Sequence, residues 1–136
     1  MATLFELVLC LALFTLLGYG TWQSVNALET GARLEAGRID LVLALSEARR
    51  LAYLRQTTVL AAAAAGDREV LLVPETADPY AIALPSGVAV STAPARGGVL
   101  FHQSGWAENA TFELGSVSAS KPGHRRVVVN QRGRIR

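Results

Sequence analysis

The sequence predicts an α+β chain, one long N-terminal helix laid against a small antiparallel β-sheet head. Three observations predict it. Residues 7–22 carry no charge, residues 23–65 contain no proline, and everything after Gly66 is broken into short β-like pieces by proline and glycine. The composition agrees, because 51% hydrophobic and 18% charged residues over 136 positions is the reverse of a disordered chain. One cysteine, Cys10, excludes an intramolecular disulfide, and no Cys/His cluster stands at zinc-ligand spacing.

The helix begins apolar. Residues 1–28 hold one ionisable side chain, Glu6, and the run from Leu7 to Trp22 reads LVLCLALFTLLGYGTW. With Ala2–Phe5 in front, it reaches about the ~20 residues that cross a ~30 Å hydrocarbon core. Tyr19 and Trp22 close it, where amphipathic aromatics anchor at the interface. A secretory signal would need basic residues before the run and a small-residue cleavage site after it. Neither is present. The chain therefore divides into a hydrophobic transmembrane and assembly helix, 1–28, and an amphipathic half-helix with a β-rich head, 29–136; a buried soluble helix is the rival reading. For Glu6 two readings stay open. A carboxylate in lipid costs about 3 kcal/mol and so marks a functional site, whereas a helix-start carboxylate at headgroup level is stabilised by the helix dipole.

Residues 23–65 continue the helix. Val25, Leu28, Ala32, Ile39, Val42, Leu43, Leu51, Leu54 and Ala61 recur at roughly three-to-four spacing, which predicts the buried face. Glu29 and Arg33 stand acid-first at i,i+4, a favourable helical pair. Gly31 and Gly37 interrupt, each costing about 1 kcal/mol relative to Ala. Ala61–Ala65 followed by Gly66 reads as a helix end with a glycine cap. Residues 3–65 would then form one helix of roughly 95 Å. The strand candidates are 68–73, 80–84, 87–91, 98–103, 110–115, 125–130 and the terminal 133–136.

No catalytic constellation emerges. His102 and His124 lack sequence-local partners for acid–base work, Cys10 sits in the apolar run, and no nucleophile elbow, phosphate loop or HExxH occurs. The reading is a non-enzyme with no cofactor and no metal site. Charge is more informative. Residues 1–113 hold 7 basic and 11 acidic side chains, a net of −4; residues 114–136 hold 6 basic and no acidic ones, a net of +6. Such asymmetry points to an anionic partner for the tail. Lys121, Arg125, Arg126, Arg132, Arg134 and Arg136 supply the charge. In an extended strand Arg132, Arg134 and Arg136 would project from one side as a comb for a phosphate backbone. The alternative is a solvated edge that blocks strand-to-strand aggregation. No aromatic residue lies near the tail in sequence, which argues against recognition of unstacked bases.

Ala2-Thr3-Leu4-Phe5-Glu6-Leu7 ahead of an apolar run resembles the N-terminus of type IV pilins and pseudopilins. Aligning the glutamates makes Ala2 the first mature residue, the place of peptidase processing and methylation in that family. Met1 alone precedes it, Ala stands where the family has Phe, and Gln23 stands where many pilins have a helix-kinking Pro. The resemblance implies that Glu6 pairs with the N-terminal amine of a neighbouring subunit. At the other end, Val99-Leu100-Phe101, Thr111–Leu114, Arg126–Val129 and the closing Gly133-Arg134-Ile135-Arg136 are similar to the GspH/FimT branch of pseudopilins and minor pilins. That likeness implies a pilin-like fold and a single-pass inner-membrane anchor with a periplasmic head. It implies other pilins and the prepilin peptidase as partners. It also implies a FimT-like minor pilin that assembles into or primes a type IV pilus and binds double-stranded DNA through its tail during natural transformation. A GspH-type pseudopilin of type II secretion, without DNA binding, is the alternative.

Overall fold

Thr3 starts the helix. Its Oγ1 accepts the Glu6 N–H at 3.4 Å while the Thr3 N–H donates to Glu6 Oε2 at 2.7 Å, a reciprocal capping box. The helix α1 runs Leu4–Arg55, 52 residues, about 78 Å at ~1.5 Å per residue. The computed structural model describes residues 3–117 and 123–136; Ala2 and Lys121 lie outside the described residues.

The helix stops ten residues before the expected glycine cap. Gln56 adopts a left-handed φ of 51°, and the Thr57 N–H closes onto Ala52 O at 3.2 Å. The β-branched run Thr57-Thr58-Val59 then favours extended backbone. The alanine run therefore begins as strand, at Ala61 and Ala62, and continues as loop, and this corrects the sequence expectation. Alanine's helix propensity, a few tenths of a kcal/mol per residue over ordinary side chains, yields to burial of Val59 and Ala61 between two neighbouring strands and of Ala63 just beyond them.

Among the described residues the strands are β1 Val59–Ala62, β2 Glu69–Pro74, β3 Tyr80–Ala83, β4 Val88–Thr92, β5 Gly98–Phe101, β6 Ala110–Ser116 and β7 His124–Val129. They form two antiparallel sheets, ordered β3-β2-β1-β5 and β4-β6-β7. Ala61 lies opposite Leu72 on one side and Val99 on the other; Phe112 lies opposite Val127. A register shift interrupts the β4–β6 pairing between Val90 and Thr92. The sheets are joined where Gly66 N–H donates to Val90 O at 2.7 Å and Val90 N–H to Asp67 O at 2.9 Å.

The core is the layer between α1 and the two sheets. Leu34, Gly37, Leu41, Ala44, Leu45, Ala48 and Ala52 face Val59, Val70, Leu72 and Phe101 of one sheet and Val88, Phe112, Leu114 and Val127 of the other. This is not the face the spacing predicted: Ile39, Leu43 and Leu54 are exposed. Large apolar residues such as Ile39, Leu43 and Leu54 also stand on the other sides of the packed half, so their spacing pointed to the wrong side. Backbone approach chose the buried one. The buried stripe is rich in Gly and Ala, and a Cβ on Gly37 would stand 2.9 Å from Val88 Cγ1.

Candidate functional site

The first candidate is the free half of α1. Every residue from Leu4 to Glu29 is exposed, including Leu4, Phe5, Phe14, Leu16 and Leu28. By length and composition this helix can cross a membrane. So much contiguous apolar surface exceeds what soluble monomers leave to water, and lipid or neighbouring helices must cover it. Glu6 is the third residue of the helix, and its carboxylate is occupied by the Thr3 amide.

The second candidate is the basic end of the chain. Alternation along β7 buries Val127 and Val129 and leaves Arg126 exposed, opposite Glu113. Arg125, opposite the buried Leu114, reaches the helix, where its Nε donates to Glu35 Oε2 at 3.1 Å. Glu35 also accepts Arg38 Nε at 2.8 Å. The Arg38 hydrogen bond, reinforced by Arg125, holds the Glu35 carboxyl below the ordinary carboxylate range. Arg125 is thus part of a tether between helix and sheet.

Beyond β7 the chain turns. Asn130 Oδ1 accepts the N–H groups of Arg132 and Arg134 at 3.1 and 3.0 Å, and Gly133 N–H donates to Asn130 O at 2.8 Å. Gly133 sits at φ 67°, a left-handed conformation. The chain then returns along β7: Arg136 and Val128 exchange both backbone hydrogen bonds, and Ile135 pairs with Val129 and packs on the core. Arg134 and Arg136 flank that anchor and stay exposed. The expected comb of three needs correction. Gly133 breaks the strand between Arg132 and Arg134, so the alternating pair is Arg134 and Arg136, with Arg132 exposed in the turn.

The fold adds side chains that sequence reading missed. Val42, Ser46, Arg49, Arg50 and Tyr53 lie at i, i+4, i+7, i+8 and i+11, one side of α1. Together with Ser104, Gly105 and residues 133–136 they line a groove of about 690 Å³. Arg49 Nη1 donates to Gly133 O at 3.0 Å, clamping the turn to the helix. A Cβ on Gly133 would lie 2.6 Å from Gly105 O and 3.1 Å from Arg49 Nε, so only glycine fits. Arg50 forms a two-bond fork to Glu47, both at 2.7 Å, and this pulls the Glu47 carboxyl below its usual range. Tyr53 is 63% exposed. The tail therefore has an aromatic neighbour in space that it lacks in sequence. The arginine pair and the tyrosine were visible in the sequence as a helical stripe; nothing there said that the C-terminus lies across it.

Among the described residues no group of three or more His, Cys, Asp or Glu is arranged to hold a metal ion. No protein-family model matches the chain, and no curated protein matches it. In three dimensions it resembles the crystal structure of the Pseudomonas aeruginosa type IV minor pilin FimU. The TM-score is 0.56 at 16% sequence identity, over 76% of this chain and 86% of that one. One long N-terminal helix packed on antiparallel sheets is the pilin fold, and this chain has it.

Proposed function

We propose that the chain is a minor pilin that inserts into, or primes, a type IV pilus. The observation that carries this is the free apolar half of α1 projecting from a head of pilin fold. A lipid-covered helix must trade lipid for neighbouring helices to enter a filament, and a buried charge makes that exchange selective. Glu6 supplies the charge. It leaves the Thr3 amide and pairs with the Ala2 amine of the adjacent subunit, after processing and methylation at Ala2. Before assembly the chain is a single-pass inner-membrane protein with its head in the periplasm, and its partners are the prepilin peptidase and other pilins. Replacing Glu6 with Ala leaves the protein in the membrane and abolishes its incorporation into sheared pili; normal incorporation of the variant would overturn the assignment.

Within that role the tail is a sequence-independent DNA contact for DNA uptake. Arg126, Arg132, Arg134 and Arg136 are exposed, and Lys121 adds charge in the same stretch of sequence. Arg125 contributes less, being tied to Glu35. With about three phosphates neutralised, the slope of log affinity against log salt is near −3, at ~0.9 per phosphate. Replacing Arg134 and Arg136 with Gln flattens it. The measurement is a salt titration by fluorescence anisotropy on the full chain in zwitterionic nanodiscs. Absence of binding at low salt would leave a GspH-type secretion pseudopilin as the better reading.

A further inference from the structure

We propose that the groove between α1 and the C-terminal segment takes a nucleotide of single-stranded DNA, its phosphate on the arginines and its base on Tyr53. This deepens the DNA reading above and rests on it. The groove's volume of about 690 Å³ falls in the range of small-ligand sites, room for one or two nucleotides. Arg49, Arg50, Arg134 and Arg136 all line it. Among the described residues the one carboxylate bonded to any of them is Glu47, engaged by Arg50, so the wall presents a surplus of positive charge.

The arginines are also positioned in advance. Gly133 O holds Arg49, Glu47 forks Arg50, and Ile135 anchors the strand that carries the other two. Less side-chain freedom is then lost when an anion enters. Tyr53 decides between kinds of nucleic acid. An exposed aromatic ring lining the same groove as the arginines is a stacking platform, but a base inside a duplex is already stacked on both faces and must be extruded to reach it. A duplex can touch the outer arginines; only an unpaired strand can use the ring as well. An acidic peptide could satisfy the arginines but gains nothing from stacking.

The test is fluorescence anisotropy on the full chain in zwitterionic nanodiscs, with a labelled oligothymidylate and a labelled hairpin duplex of matched charge. Unlabelled poly-glutamate serves as competitor. Expected is single-strand affinity several-fold above duplex affinity. Tyr53→Leu lowers the single-strand affinity about tenfold and leaves the duplex affinity unchanged, while Tyr53→Phe retains the wild-type pattern. Arg50→Gln weakens the single strand as well, because it leaves the Glu47 carboxylate unneutralised beside the groove. If Tyr53→Leu binds both probes like wild type, or wild type prefers duplex, the groove inference is overturned while DNA binding by the tail stands. Displacement by poly-glutamate as effective as by DNA would overturn it in favour of an acidic peptide. Binding of neither probe removes both readings together.

Discussion

Glu35 shows how single residues join the helix to the sheets. Its carboxylate serves Arg38 on its own helix and Arg125 on β7, far apart in sequence. Because those hydrogen bonds favour the charged form, its folded pKa lies below the unfolded value. The sign of the linkage follows. A depressed carboxyl pKa contributes stability above the unfolded value, and the contribution disappears as pH falls through the folded one. Wild type should therefore melt above Glu35→Gln at neutral pH, and the two melting curves should converge in acid. The gap is small, since Arg125 is exposed, Arg38 is only half-buried and solvent screens both pairs. A gap that persists unchanged below the carboxylate range would show that the tether does not depend on ionisation.

At the scale of elements, α1 offers a matched pair of glycines with opposite expectations. Gly31 has nothing within 4 Å of where a Cβ would stand, whereas Gly37 faces Val88 Cγ1 at 2.9 Å. Alanine in a helix interior gains about 0.5–1 kcal/mol over glycine. At Gly31 nothing opposes that gain, and Gly31→Ala should raise the melting temperature by a few degrees. At Gly37 the added methyl must push Val88 in a filled core, and overpacking costs about 1–3 kcal/mol. Gly37→Ala should therefore be neutral or destabilising by thermal circular dichroism. A gain at Gly37 equal to that at Gly31 would mean the helix–sheet contact can relax freely.

For the whole molecule, the buried residues begin at Leu34 and none of them comes from the first half of the helix. Among the described residues, removing 1–28 deletes no buried side chain and no strand. The remaining fragment, 29–136, should be soluble and keep a mixed helix–strand circular dichroism spectrum with a cooperative melt. An unstructured fragment would show that the apolar half is needed to stabilise the head.

The sequence by itself determined the α+β class, the helix start, most strand positions and the apolar half of the helix, because each rests on local chemistry. Residues 7–22 lack charge, Thr3 and Glu6 form a cap within one turn, and proline and glycine mark the turns. It also displayed the basic end and the likeness to pilins. Tertiary structure alone decided the rest. The helix ends at Arg55 because β1 is sandwiched between β2 and β5, contacts that outweigh alanine's helix preference. The buried face follows Gly37, Ala44, Ala48 and Ala52, since small side chains let the sheets come close, whereas a pattern weighted on large apolar residues follows Ile39, Leu43 and Leu54, which stay exposed. Arg132 leaves the comb through the left-handed turn at Gly133. The groove joins Arg49, Arg50 and Tyr53 to Arg134 and Arg136 across most of the chain length, and such proximity is a property of packing, which no local pattern encodes.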